Sequence, residues 1–321
     1  METSDFMHQL ERQLMDERKV AESTANAYIK TLYQLNNKAP FKNLAFLKNT
    51  EAIDAKLGSY AESTQRAILA TIVSVLTPYK AKPTFKKVYQ YFYDKMMNKN
   101  GDAKKSAEEN KGVMTEKQKD NWISWEDIQK IKTEKKDAVD KFANNKTLTA
   151  GEYDTLLQYV ILSLYTEVQP RRNQDYLDMY FVKKYNDKME NDKNYYDMAT
   201  HKFIYNKYKT AKKWGTQTAD VPESLQGVIA TYLKHHPLYK GTAKRKNEAI
   251  KFLVNMDGTG ITAVNAITRL LNRVFGKKVG SSMLRHIYIS DKYKDVMEEQ
   301  EKDAEAMGHS VSQQRDYFKK E

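Results

Sequence analysis

The chain of 321 residues has no cysteine, only 6 prolines and 12 glycines, and no apolar run long enough to cross a membrane as a helix. Each absence narrows the chemistry. Without cysteine there is no disulfide framework, no thiolate metal site and no cysteine nucleophile. So little proline and glycine argues against low-complexity and turn-rich all-β chains. The longest apolar stretch, 67–76, is interrupted by Thr71 and Ser74, well short of the roughly 18 residues a spanning helix needs. The start, Met1-Glu2-Thr3-Ser4-Asp5, is acidic where an export signal is basic, so a soluble, intracellular protein is expected. What is abundant is positive charge: 54 Lys and Arg against 42 Asp and Glu, a net charge of +12. A surplus of that size favours a polyanionic partner, nucleic acid first and an anionic membrane surface second.

Hydrophobic spacing predicts two units. In the first, Ser23 is a candidate cap for a helix through Leu35, and Ser63 for one carrying Ile68, Ile72, Val75 and Leu76 up to Pro78. A third helix is predicted over 85–97, with Val88, Phe92 and Met96 on one line and Lys86 and Lys87 beside it. Residues 98–119 offer almost nothing to bury, and 80–120 carries eleven lysines against six acids. A mobile, basic linker is expected there. The division is thus a helical unit over 1–98, a flexible linker over 99–118 and a second unit over 119–321. In the second unit Ser124 is a cap candidate, and 152–168 is the clearest amphipathic helix. Aromatic and β-branched content predicts strands over 176–182 and 203–208, the latter opening a hairpin that closes near Val221-Pro222. Helices are expected to resume over 223–235, 262–275 and from Ser282. The fold class predicted is mainly α with a small antiparallel β-sheet (α+β).

Four polar islands interrupt the packed pattern of the second unit. They are Arg171-Arg172-Asn173-Gln174-Asp175, the hairpin run from Lys207 through Lys209 to Lys212 and Lys213, Ser282-Met283-Leu284-Arg285-His286, and Met307-Gly308-His309-Ser310 followed by Tyr317. Separated arginines, a lysine, a histidine and a tyrosine suit a phosphate: arginine grips non-bridging oxygens bidentately, and lysine can give up a proton. Other candidates have plainer readings. Asp257-Gly258-Thr259-Gly260 lacks a third glycine and a Rossmann context, so it reads as a turn. His235-His236-Pro237 reads as a helix end, and Lys244-Arg245-Lys246 as a surface loop.

The order of these islands resembles the tyrosine recombinases, the phage-integrase family, whose signature runs Arg, Lys, His-x-x-Arg, His or Trp, Tyr. The resemblance spans the second unit, and the first unit resembles the family's core-binding domain. Arg172 matches the first arginine, because Asp175 stands three positions on. Lys209 matches the hairpin lysine, with Lys212 as second choice. Arg285 matches the arginine of His-x-x-Arg, with His286 after it. His309 matches the histidine of the Leu-Gly-His-Ser box, and Tyr317 the nucleophile. Two departures stand out. Ser282 replaces the first histidine of His-x-x-Arg, and Tyr317 follows His309 by eight positions where nine is commoner, position nine being Phe318.

The resemblance implies a site-specific recombinase or integrase, of the kind carried by mobile elements or large DNA viruses of eukaryotes. It would cut and rejoin duplex DNA through a 3′-phosphotyrosyl link, without metal, cofactor or ATP. Tyr317 would attack, Arg172 and Arg285 would neutralise the phosphate, His309 would help bind it, and Lys209 would protonate the leaving oxygen. Asp175 would hold Arg172, His286 would support Arg285, and Ser282 can donate a hydrogen bond to the phosphate but cannot carry a positive charge. Lys86, Lys87, Lys207, Lys212 and Lys213 are further candidates for DNA contact. The implied partners are double-stranded DNA and further copies of the chain, a tetramer on paired sites. The implied location is on DNA, in a eukaryotic host's nucleus or otherwise the cytoplasm, with no membrane contact. Two neighbouring readings keep part of this: DNA relaxation of the type IB topoisomerase kind, and a non-cleaving DNA-binding protein on the same fold.

Overall fold

The computed structural model describes residues 2–239, 248–317 and 319. The expected surface loop at Lys244-Arg245-Lys246 lies outside the described residues, as does Phe318. The chain divides into two compact units, Met1–Val113 and Met114–Glu321.

The first unit is a helical bundle: α1 (Asp5–Asp16), α2 (Glu22–Leu35), α3 (Thr50–Gly58), α4 (Glu62–Leu76) and α5 (Pro83–Glu109). Ser4 caps α1 by accepting the Met7 N–H at 3.3 Å, and its hydroxyl donates to the Phe41 carbonyl at 2.6 Å. That one side chain stops the helix and ties it to a distant loop. The apolar stripe of α4 is buried as its spacing predicts, and Phe92 of α5 inserts fully into the same core.

Where a flexible linker was expected over 99–118, the structure continues α5 as a single helix to Glu109 and forms a capped helix, α6 (Glu116–Asn121). The division between units falls between Val113 and Met114. The stretch from Asp102 to Glu109 buries nothing, but Ala, Lys and Glu are strong helix formers and lose little on extending an existing helix. Lack of a burial face was therefore the wrong test for this segment.

The second unit is built around α8 (Ala150–Thr166). This helix is buried on nearly every side, including Gln158 and Ser163, and is not the one-sided amphipathic helix expected. It packs against α7 (Trp125–Asp140), α11 (Glu223–His235) and α12 (Val264–Phe275). Ser124 caps α7, accepting the Asp127 N–H at 3.0 Å. The short α9 (Asn173–Leu177) leads into a five-stranded sheet, β1 (Met179–Val182), β2 (Asn194–Asp197), β3 (Lys202–Tyr205), β4 (Gln217–Asp220) and β5 (Ile250–Lys251). The sheet order is β4-β3-β2-β1-β5.

The sheet is small, as expected, but mixed and not purely antiparallel. Strands β1 and β2 run parallel with Met179 opposite Asn194, and the crossover 183–193 joins them. Asn194 sits where ladder bonding begins, its amide donating to the carbonyls of Asp175 and Lys207 at 2.8 and 2.9 Å. One face of the sheet (Phe181, Tyr196, Phe203, Tyr205) joins the main core, and the other (Val182, Tyr195, Ile204) packs a small separate cluster. The chain closes with α10 (Ala211–Trp214) inside the β3–β4 connection, then α13 (Ser281–Lys292), α14 (Lys294–Ala306) and α15 (Val311–Tyr317) near the C-terminus. Among the described residues no helix is long and apolar enough to cross a membrane.

Gly101 tests the continuous helix. Nothing lies within 4 Å of where its Cβ would stand, so Gly101→Ala should stabilise α5 by about 0.5–1 kcal/mol. The gain should appear as more helical ellipticity and slower amide exchange over 98–108. Unchanged values would mean that this segment is not helical in solution.

Candidate functional site

The site is assembled from three places in the second unit. The first is the start of α9. Asn173 is buried, and its side-chain oxygen accepts the Tyr165 hydroxyl at 2.7 Å while its amide donates to Val264 O at 3.1 Å and Thr268 Oγ1 at 3.0 Å. One amide thus fixes α8, α9 and α12 together. Thr268 also touches the position where a Cβ on Gly280 would stand, at the start of α13. Arg285, one turn into α13, is half-buried and its Nε donates to the Ser281 carbonyl at 3.2 Å. Burial drives the Tyr165 phenol well above its ordinary value, with Asp175 adding to the rise and Arg285 opposing it. The charges of Arg285 and Asp175 are therefore both felt at the same hydroxyl.

The pairing inside that cluster differs from the expectation. Asp175 holds Arg171, not Arg172: the Arg171 Nε donates to Asp175 Oδ2 at 2.9 Å. Arg171 stands just before the extended N-cap residue Arg172, and its side chain reaches back to the carboxylate in the first turn of α9. Arg171 also lies over the Tyr205 ring, 3.7 Å from its centre, and donates to Gln217 Oε1 at 3.2 Å. It is a clamp between α9 and the sheet, missed by the sequence reading although the i, i+4 charge pair was visible.

Arg172 stands at the N-cap of α9. Its carbonyl accepts the Asp175 N–H at 3.0 Å, and among the described residues its guanidinium has no hydrogen-bond or ion-pair partner. Asp175 itself is buried, and burial raises its carboxyl above the usual value even though Arg171 and Arg172 pull it down.

The second place is the β3–β4 connection. It carries Lys207, Lys209, Lys212 and Lys213, all exposed. Lys207 lies 3.4 Å from Asp178 Oδ2, and Lys213 lies over the Trp214 ring at 4.7 Å. Strand β5, at the edge of the sheet opposite β4, supplies Lys251, which the sequence reading passed over. Its half-buried ammonium donates to the Leu177 carbonyl, and burial lowers its proton affinity, with Asp178 opposing and Lys207 and Lys193 reinforcing the drop. Only the sheet pairing of Ile250 and Lys251 with β1 puts it there, so no local sequence signal could have revealed it.

The third place is the end of the chain. Met307-Gly308-His309-Ser310 is a helix stop followed at once by a helix start. Gly308 takes φ +70°, the His309 N–H returns to the Ala304 carbonyl and the Gly308 N–H to Glu305, a left-handed termination that favours glycine. Ser310 then caps α15, its hydroxyl accepting the Gln313 N–H at 3.2 Å. His309 is pinned between the two helices, its Nε2 buried without a partner among the described residues. Two turns later Tyr317 comes back onto it, with ring centres 5.4 Å apart, while remaining 62% exposed.

The remaining expected residues are on the surface. Ser282 and His286 are exposed on α13, and Lys86 and Lys87 are exposed on α5 of the first unit. The elements that carry Arg172, Asp175 and Arg285 meet around Tyr165 and Thr268, but among the described residues no hydrogen bond or ion pair joins Arg285 to Arg172 or Asp175; His309 and Tyr317 contact each other. Among the described residues no hydrogen bond or ring contact joins Lys209 or the His309–Tyr317 pair to the arginines. No group of three or more His, Asp or Glu among them could hold a metal ion.

No family model, curated protein or solved structure matches this chain. The chemistry of the site stands on its own residues.

Asp175 gives a pH test. A carboxyl raised by burial takes its proton in the fold before it does in the unfolded chain. Its stabilising contribution is therefore complete below the unfolded value of about 3.9 and is lost as pH rises through the folded value. The wild type should gain stability relative to Asp175→Asn as pH falls from neutral toward about 4, measured by urea unfolding at each pH. A gap that stays constant or moves the other way contradicts the assignment.

Proposed function

We propose that the chain is a tyrosine recombinase that cleaves and rejoins double-stranded DNA through a covalent Tyr317–DNA intermediate. The observation that carries this reading is the His309–Tyr317 pair: an exposed phenol set 5.4 Å from an imidazole whose buried Nε2 has no partner among the described residues. An exposed tyrosine is ordinary, and so is a histidine after a helix stop. Both together, in a basic chain whose two expected arginines lie in the same unit, suit attack on a phosphodiester.

In this reading the Tyr317 hydroxyl loses its proton to solvent and attacks phosphorus. A tyrosyl–phosphate bond forms on the 3′ side, and the bond from phosphorus to the 5′ oxygen breaks. Lys209 gives that oxygen a proton, so it leaves as a free hydroxyl; religation runs the same steps backward. Arg172 and Arg285 hold the non-bridging oxygens, where charge builds in the transition state, and His309 Nε2 donates to one of them. Arg171 binds no DNA here; pinned by Asp175 and Tyr205, it fixes the turn that presents Arg172.

The separation of the three groups has a physical cause under this proposal. Bringing two unit charges to 4 Å costs about 4 kcal/mol at the effective dielectric of a protein surface, and two guanidiniums, an ammonium and an imidazole gain nothing by meeting without an anion. A DNA phosphate supplies the charge that draws them together. The wider basic surplus would supply non-specific phosphate contacts, with affinity falling steeply as salt rises.

The test is covalent trapping on nicked suicide duplexes without divalent metal. Tyr317→Phe should abolish the denaturant-resistant protein–DNA adduct and leave duplex affinity within about twofold. Arg172→Ala and Arg285→Ala should each lower adduct formation by about a hundredfold or more, and each should flatten the salt dependence of binding by roughly one phosphate contact. Adduct surviving Tyr317→Phe would remove Tyr317 as nucleophile. No adduct from the wild type, with salt-sensitive binding intact, would leave a DNA-binding protein that does not cut.

A further inference from the structure

Helix α14 is unusually bare. Of its 13 residues only Ala304 is buried, although helices in proteins draw most of their stability from a packed face. An apolar stripe nevertheless runs along it. Ile289, Tyr293 and Met297 are linked by successive helical hydrogen bonds, Tyr293 N–H to Ile289 O and Met297 N–H to Tyr293 O, so the line continues across the break between α13 and α14. Val296 lies beside it, and Ile289 and Val296 are 52% and 50% exposed. Spacing of i, i+4, i+7 and i+8 is that of a buried face, and here it stays exposed, with Lys292 5.5 Å from the centre of the Tyr293 ring. Around the stripe α14 carries six acidic residues and two lysines, a net −4 in a chain of net +12.

The first unit carries a surface of complementary character. Along α5, Lys86, Gln90, Tyr93, Met97 and Lys104 fall on one exposed line. Tyr93 and Met97 stand at its centre, 36% and 49% exposed, and lysines stand at either end. Two other lysines of α5, Lys95 and Lys99, pair with Asp54 and Glu62, while among the described residues Lys86 and Lys104 have no ion-pair partner.

We propose that the acidic apolar face of α13–α14 in one copy of the chain docks on the basic face of α5 in a second copy. Charge complementarity chooses the occupant. A net −4 helix is repelled by nucleic acid and by anionic lipid, and the chain's own surplus is positive. The contact is heterologous, joining two different surfaces, so repetition closes a ring or extends a chain of protomers. It is also small. A 13-residue helix is about 20 Å long and about 10 Å wide, a footprint of roughly 200 Å² per partner that is below the standard specific interface and fits a weak, transient contact with a Kd on the order of 100 μM. Exposed charges at its rim make it weaken with salt. The inference is independent of DNA cleavage and of Tyr317.

Sedimentation velocity of the full chain, across concentrations from below to well above that Kd, is the test. Val296→Glu with Met297→Glu disables the α14 face, and Met97→Glu with Lys104→Glu the α5 face; all four positions are exposed, and far-UV circular dichroism checks that each variant keeps its fold. The wild type should associate with rising concentration, less so at high salt. Each double variant alone should lose association by at least tenfold. An equimolar mixture of the two should form dimers and nothing larger, because one intact α5 face then meets one intact α14 face. A wild type that stays monomeric throughout, a variant that associates like the wild type, or a mixture that fails to recover the dimer would each overturn the proposal.

Discussion

A single buried amide organises the second unit. Asn173 takes a hydroxyl from Tyr165 and gives its two protons to Val264 O and Thr268 Oγ1, so the end of α8, the whole of α9 and the start of α12 share one register. A buried polar group of this kind costs several kcal/mol if its partners are lost, which makes the arrangement specific as well as stable. Everything proposed to touch phosphate on the arginine side hangs from it. Arg172 is its chain neighbour, Arg171 and Asp175 pair beside it, and the charge of Arg285 is felt by the same Tyr165 phenol.

The division of labour between the adjacent arginines follows from that frame. Arg171 spends its guanidinium on Asp175, the Tyr205 face and Gln217, and is thereby structural. Arg172, one residue on, is left to solvent and to any anion that arrives. The C-terminal box follows the same logic with different means. A left-handed glycine and a capping serine hold His309 in a fixed place between two helices, and the length of α15 returns Tyr317 to it. The eight-residue spacing is in keeping with this contact, because two helical turns from Ser310 bring the phenol back to the same side.

Much of the architecture was legible from spacing, less from caps. The helices through Leu35 and Leu76 follow from their apolar stripes, but Ser23 and Ser63 do not cap them: both lie inside the helices, which start after Ala21 and Ala61. The Ser124 cap, the glycine turn at Asp257–Gly260 and the end of α11 at His235 do follow from local signals. What failed did so where local signals are weak. The β2 strand, Asn194–Asp197, hides at the end of a charged stretch and exists because its neighbours pair with it. The segment 99–118 was read by what it could not bury, when helix propensity decided its state. Helix α8 was read as one-sided from the spacing of its apolar residues, yet Gln158 and Ser163 are inside as well. In the site, the residues named by motif order were within reach of sequence reasoning, while the identity of the arginine that Asp175 holds and the presence of Lys251 depended on tertiary packing.

The most direct test of the central claim is to locate the covalent bond. Wild-type protein trapped on a suicide duplex would be digested with trypsin and nuclease and sequenced by tandem mass spectrometry, with the released DNA end characterised in parallel. The account predicts a nucleotide joined through its 3′ phosphate to Tyr317 and a free 5′ hydroxyl on the departing strand. A bond at any other residue, or a 5′ phosphate link, would contradict it.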